Sequence, residues 1–449
     1  MTVNQARSAR PGRSPVLVRT AAIVVYCGSA ALFSLFLYQG SASSVYFSGI
    51  PLFFSFPVLA MSLSRWEGRC GKAWLVAVVA PALLFRVSLW GVKPEVLSND
   101  VYRYLWDGKL SWNRINPFSY APADDRLAPL KNDPLYDKVA HRTFKTIYPP
   151  VSQFVFMAAY AMGKGRLWPL RLIYLLAEAG LVLLLLGLLR DRRRIVWYVF
   201  CPLVIVETHA GLHVDIISAV LLTAAFALLQ KRSFFPMAAA AVSAALTKYI
   251  PVVALPVFFL EQVRSVRSRR GAGLASAAVH SLPAWLLAGL LAIILFLPFL
   301  GVGWSLFEQL LIYNRHWEFN ASLYSICQWV AGDRTFFVRL VLTAAALLAV
   351  YASSMGAEAR VKWSMLSLLL LGPTLYPWYL ICLIPFMFMD LRASDAVLVT
   401  VVYLSYWILV TWADTGVWRE NASVKLLQFV PYYSLLAFEL VRRRDVQEL

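Results

Sequence analysis

Asp100, Arg103, Tyr104 and Asp107 fall at i, i+3, i+4 and i+7, so a helix over 99–108 sets all four on one face. They open the longest polar interval of the chain, Ser98 to Val151. Asp100 stands beside Asn99, Tyr102 and Arg103, and a carboxylate in a partly dry cleft at a membrane surface suits general-base work. The plainer role is a helix-start carboxylate stabilised by the N-terminal dipole. Asp107, two turns on, is expected to orient partners by pairing with Arg103. Asp124 and Asp125 lie in a Pro-rich loop and read as solvated surface acids. Pro117, Pro122, Pro129 and Pro134 forbid a long helix before Tyr148.

Four further groups carry chemistry. In Glu207–Asp215 (ETHAGLHVD), His213 and Asp215 suit a metal or a sugar hydroxyl; one His with two acids matches no compact zinc motif, which favours hydrogen bonding. Lys248 ends one apolar run just before Tyr249-Ile250-Pro251. It is costly there unless it reaches an anion such as phosphate, or snorkels to the interface. In Tyr313–Asn320 (YNRHWEFN), Arg315 and His316 offer donors to phosphate, while Trp317 and Phe319 suit a sugar face, a prenyl chain or an ordinary aromatic belt. Tyr376-Pro377-Trp378-Tyr379 adds rings. Tyr148, Trp317, Asn320, Tyr376 and Trp378 are the candidates for holding a sugar or an acceptor. Asn320-Ala-Ser322 and Asn421-Ala-Ser423 match glycosylation sequons, a weak three-residue signal.

The elements that position these groups are apolar runs of helical length. The chain has 449 residues, 60% of them hydrophobic, and a mean hydropathy of +0.64. That predicts an all-α polytopic membrane protein with about 13–14 transmembrane helices. The candidate spans are 21–38, 45–63, 73–91, 168–189, 195–209, 213–229, 234–248, 250–261, 280–300, 335–353, 361–374, 377–391, 395–411 and 425–441. No long polar linker divides them, so one integral domain is expected: a tail (1–20), an N-terminal pair (21–72), a core (73–391) with the loop 92–147, and C-terminal helices (392–449). The net charge of +18 sits in short loops and accompanies no nucleic-acid motif. Cys27, Cys70, Cys201, Cys327 and Cys382 are scattered, as structural thiols are.

Arg7, Arg10, Arg13 and Arg19 precede an apolar run without a clear cleavage site, which reads as an uncleaved first helix. This tail, Arg65–Lys72, Arg190–Arg194, Lys231–Arg232, Arg264–Arg270, Arg360–Lys362 and Arg442–Arg444 share the cytoplasmic side under the positive-inside rule. They do so only if 148–163 dips into the interface without crossing. The loop 92–147 and the polar groups above then converge on one external rim. No Walker A, GxGxxG, GxSxG or HExxH is present, so an enzyme built this way draws a lipid-borne donor from the bilayer.

The run SNDVYRYLWDGKLSWNRINPFSYAP followed by KTIYPPVSQFVF resembles the first external loop of the GT-C integral-membrane glycosyltransferases, in their polyprenol-phosphate-mannose-dependent mannosyltransferase branch. ETHAGLHVD, ALTKYIPVVALPVF, YNRHWEFNASL and LYPWYLICLIPF are similar to that branch's later motifs, in the same order, and the resemblance covers roughly residues 75–390. It implies an inverting transferase of a bacterial inner (plasma) membrane with its active site on the periplasmic side. Its donor would be a polyprenyl-phosphate sugar, and its acceptor a lipid-linked glycan or polysaccharide. The family's catalytic acid maps onto Asp100. Where the family often pairs acids this chain has Asn99-Asp100, so a divalent cation bridged there is not supported and no cofactor is expected. A phosphate leaving group needs positive charge rather than a protonating acid, and Lys248, Arg315, His316 and Arg103 are its candidate suppliers. The alternative is a non-catalytic lipid or solute transporter or flippase, which Arg86 inside 73–91 suits. Transporters, however, place polar sites at the midplane of repeat-related helices, and no repeat is visible here. Other sugars, such as a glucosyl or aminoarabinosyl donor, fit the same rim.

Overall fold

The computed structural model describes residues 13–65 and 71–447, with side chains from 16 to 442. Arg7, Arg10 and residues 66–70, Cys70 among them, lie outside the described residues, as do the side chains of Arg13, Arg443 and Arg444. All regular structure among the described residues is helical, apart from one isolated parallel bridge between Phe319 and Thr374. A helix satisfies its own backbone groups, which is what apolar runs in lipid require.

Among the described residues, seven helices are long and apolar enough to cross a membrane: Val16–Gln39, Ala42–Ser64, Trp168–Leu188, Leu274–Val302, Leu323–Ala352, Ala393–Thr415 and Ala422–Arg442. This is a polytopic all-α membrane protein, as expected, and these seven are the long members of its apolar runs. The other apolar runs are short or broken. Asp215–Gln230 has 16 residues and Phe234–Ala245 has 12. The run 195–209 is cut by Pro202 into Val196–Val199, Pro202–Ile205 and a π-helical turn, Val206–Ala210. The run 377–391 is cut into a 3-10 turn, Pro377–Cys382, and a helix, Ile384–Met389. Proline removes a backbone donor and ends the helix. Both broken runs are enclosed by protein, which is where irregular backbone at membrane depth is tolerated.

Two side chains satisfy the carbonyls left free at the Pro202 break. Tyr26 donates its hydroxyl to the Phe200 carbonyl at 2.6 Å. Arg86, only 4% exposed, donates Nη1 to the Val199 carbonyl at 2.9 Å. Its Nε and Nη2 grip the Glu178 carboxylate at 2.8 and 2.6 Å, and His209 Nε2 lies 2.5 Å from the same carboxylate. Arg86 is thus committed to an internal ion pair and a backbone repair. The N-terminal helix pair is also keyed to the core: Tyr403 donates to the Val45 carbonyl at 2.8 Å. Gly49 makes room for it, since a Cβ there would fall 2.0 Å from the Tyr403 hydroxyl.

The polar interval folds as expected at its start. Asp100–Trp112 is a helix, and a 3-10 turn (Asp125–Leu130) and a short helix (Pro134–Lys138) follow among the prolines. The 148–163 segment is a helix over Pro150–Gly163 of 14 residues, about 21 Å long, short of the roughly 30 Å hydrocarbon core. It lies against the Asp100 helix with Phe156 stacked on Tyr104 at 4.5 Å. Ser152 Oγ also donates to the Thr247 carbonyl at 2.7 Å, next to Lys248. Gly108 permits the approach, because a Cβ there would sit 2.2 Å from the Phe156 carbonyl oxygen, a backbone atom. Gly108→Ala is therefore expected to destabilise the protein by about 1–3 kcal/mol through overpacking, read as a lower unfolding temperature in detergent.

Candidate active site

A cavity of about 660 Å³ gathers residues far apart in sequence: Ser98 to Arg103, Ala140 to Tyr148, Lys248, Gln309 to Glu318, Tyr376 to Tyr379 and Leu409 to Trp418. Asp100 reaches it from the first turn of its helix, where Ser98 Oγ accepts the Asp100 backbone N–H at 3.1 Å. Its side chain is 28% exposed, on the cavity side. Burial pushes its carboxyl above its ordinary value, opposed by the positive charge of Lys248, by His141 and by a hydrogen bond from the Ser98 side chain to the carboxylate. His141 is pushed down, chiefly by burial and partly by Arg103, against the pull of Asp100.

Behind Asp100 stands His213, buried, its Nδ1 3.9 Å from Asp100 Oδ2. The imidazole lies flat on Trp378 at 3.9 Å, Trp378 on Tyr376 at 4.4 Å, and Tyr376 on Phe319 at 4.2 Å. The backbone turns sharply to deliver this ring: Leu212 has φ +58. Gly211 leaves room, as a Cβ there would meet the His213 ring at 2.9 Å. On its far side His213 Nε2 is 3.5 Å from Glu207 Oε2, and Tyr406 donates to the other oxygen of Glu207 at 2.7 Å. Glu207 and His209 occupy one π-helical turn, a distortion often found at functional sites. One faces His213 and the other Glu178.

Lys248 forms the opposite anchor. Its Nζ lies 3.3 Å from Asp215 Oδ2 and 5.3 and 5.0 Å from the ring centres of Tyr148 and Tyr379, within reach of a cation–π attraction. Tyr379 and Tyr313 share a hydrogen bond at 2.7 Å, and Trp317 Nε1 donates to the Tyr376 hydroxyl at 3.1 Å. The result is a cleft with Asp100 on one side, the partly buried Lys248 on the other and ring walls between them, with Glu95 and Glu318 also in its lining.

Of the residues singled out in the sequence, Asp100, Arg103, Tyr148, Lys248, His316, Trp317, Tyr376 and Trp378 line this cavity. Tyr104, Asp107, His213 and Asp215 stand behind the lining. Asp107 accepts Arg103 Nε at 2.8 Å, as their spacing predicts. Two candidates lie elsewhere. Arg315 is exposed outside the lining, its guanidinium 6.0 Å from the Phe336 ring. Asn320 is buried at φ +50, its amide paired with Gln428 at 3.1 and 3.2 Å and its backbone N–H given to Glu420. Burial also closes the Asn320 sequon to a glycan, whereas Asn421 is exposed. His141, Tyr313, Tyr379, Glu207 and Glu178 were not picked out as site residues. The ETHAGLHVD run displayed Glu207 but not its depth, and His141 lies in a loop without periodicity. Among the described residues no three His, Cys, Asp or Glu side chains gather as a metal site.

The raised Asp100 carboxyl sets a pH signature. With Asp100 as the base, which must be ionised to act, activity is expected to fall as pH drops through the raised value. The acid limb of kcat/KM is expected above the roughly 3.9 of an ordinary aspartate. Lys248→Met removes an opposing charge and is expected to move the limb to higher pH, read from pH–rate profiles of both proteins.

Fold and cavity together define a polytopic helical membrane protein with an acid-bearing, ring-walled cleft of the kind that holds a sugar. The comparisons narrow this class. Residues 8–264 match the family described as "Alpha-(1->6)-mannopyranosyltransferase, N-terminal domain". One relative is "Alpha-(1->6)-mannopyranosyltransferase A" of Mycobacterium tuberculosis (strain ATCC 25618 / H37Rv), 25% identical over 343 residues. That match covers 69% of this chain and 63% of the relative, so the chain spans just under two thirds of it. No solved structure matches. The chain belongs to the alpha-(1->6)-mannopyranosyltransferase family.

Proposed function

We propose that the protein transfers mannose from a polyprenyl-phosphate donor to a membrane glycan, with inversion, at the external face. The observation that carries the reading is that Asp100 and the partly buried Lys248 face one cavity walled by Tyr148, Trp317, Tyr376, Trp378 and Tyr379. The acceptor hydroxyl loses its proton to Asp100 while its oxygen bonds to the anomeric carbon. The carbon–oxygen bond to phosphate breaks, and the electron pair leaves with polyprenyl phosphate. Negative charge grows on that phosphate, and Lys248, His316 and Arg103, all in the cavity lining, are the donors assigned to receive it. An alpha-(1->6) product, as the family's description has it, then requires a beta-linked donor.

The external location is supported by how the helices run. Tyr38, at one end of the first span, bonds the Ser88 carbonyl at the rim, while Arg19 lies towards the other end. The Trp168–Leu188 helix likewise starts at the rim and ends at the RDRRR turn, Arg190–Arg194.

The test incubates membranes carrying the protein with labelled polyprenyl-phosphate mannose and, in parallel, polyprenyl-phosphate glucose. Mannose label moving into a glycan is the expected result; glucose label alone, or no transfer, overturns the reading. Lys248→Met is expected to lower transfer by about 10²–10³-fold, the usual cost of losing one stabilising donor. It also strands Asp215. Lys248→Met with Asp215→Asn should recover the folded yield while transfer stays low, which separates the donor role from a structural one.

A further inference from the structure

A second cavity of about 560 Å³ opens beside the first, and Glu95 lines both. Lys93, Lys138, Lys164, Arg166 and Arg171 line it against only two acids, Glu95 and Asp133. Both acids are already engaged. Glu95 holds Lys138 at 2.8 Å, and Asp133 holds Lys109 at 2.7 Å. Lys93, Lys164, Arg166 and Arg171 therefore have no carboxylate partner among the described residues.

Exposed lysines alone would be ordinary solvated charge. Arg171 is different. It is 4% exposed, donates Nη1 and Nη2 to the Leu89 and Val92 carbonyls, and keeps a buried Nε with no partner. A guanidinium enclosed in protein without an anion is costly. Lys164, whose Nζ lies 3.7 Å from the Trp112 ring centre, adds charge to the same wall. Trp90 and Trp168, both partly exposed, flank the cavity. Trp168 opens the Trp168–Leu188 span, so the mouth sits at headgroup depth, where tryptophans concentrate.

We propose that this second cavity binds the phosphodiester headgroup of an anionic membrane lipid, with Arg171, Lys164, Arg166 and Lys93 around the phosphate and the acyl chains descending past Trp90 and Trp168. An oxyanion supplies the counter-charge these cations lack, and guanidinium matches phosphate geometry best. The location at the head of a span selects a lipid over a soluble phosphoryl compound. This inference does not depend on the transfer chemistry.

The test uses purified full chain in nanodiscs of phosphatidylglycerol or phosphatidylcholine, with lipid retention read by native mass spectrometry. The wild type is expected to retain phosphatidylglycerol over phosphatidylcholine, and millimolar inorganic phosphate should not displace it. Lys164→Gln with Arg166→Gln, both exposed and free of ion pairs, should fold normally and retain about thirtyfold less phosphatidylglycerol, as losing two cations near an anionic headgroup predicts. Arg171→Gln should lose more, provided its unfolding temperature stays near that of the wild type. Equal retention of the two lipids, or unchanged retention by the double variant, overturns the proposal. Displacement by free phosphate overturns the lipid source.

Discussion

Asp100→Asn is expected to lower sugar transfer by about 10²–10⁴-fold, the usual contribution of a positioned base, while the protein folds as before. The amide keeps the size of the side chain and can still accept the Ser98 hydrogen bond, but it cannot take a proton. Burial does not penalise the neutral side chain as it does the carboxylate, so the substitution relieves a desolvation cost. Stability should hold or rise slightly. The measurement is transfer from labelled donor alongside the unfolding temperature in detergent. Near-normal turnover removes Asp100 from the reaction. Loss of folded protein instead assigns it a structural role. An ordinary helix-start carboxylate, by contrast, would cost some stability on neutralisation and leave turnover intact.

The largest effect on stability is expected at Arg86. Arg86→Met strands the Glu178 carboxylate and frees the Val199 carbonyl. Removing one partner of a buried pair costs about 3–5 kcal/mol, a large share of a domain's roughly 5–15 kcal/mol. The variant should be recovered in low yield, with a sharply lowered unfolding temperature. Arg86→Met with Glu178→Gln removes both charges and should regain much of the loss, though not the Val199 contact or the His209 partner. If the single variant unfolds like the wild type, the pair is not holding the Pro202 break together. The site offers a control: Asp100 lies outside this cluster, so restored stability should bring restored transfer.

Much of this was legible in the residues because local rules decide it. The i, i+3, i+4, i+7 spacing of Asp100, Arg103, Tyr104 and Asp107 fixes a helix face, and the Arg103–Asp107 bond follows from it. The apolar runs announced a polytopic helical protein for the same reason. Which apolar runs form unbroken helices was not legible, because hydropathy does not distinguish lipid from protein interior. The runs at 195–209 and 377–391 are apolar because they are buried in protein, and their prolines break them there. Long-range partners were hidden for a different reason. Nothing in sequence spacing brings Arg86 to Glu178 or His213 to Asp100, since these pairs are set by how whole helices dock. Arg315 and Asn320 show the converse. They stand in a promising motif, yet the helix that carries Arg315 points it away from the cavity, and Asn320 is consumed by Gln428 and Glu420.

The Tyr26 hydroxyl on the Phe200 carbonyl, with Tyr403 set into the notch at Gly49, bears on any attempt to trim the molecule. An excised version starting after residue 65 would keep every cavity-lining residue. It would also expose an unmade backbone bond a few residues from the π turn that carries Glu207. Such a fragment would fail in catalysis for want of a tyrosine on a helix that never touches the sugar.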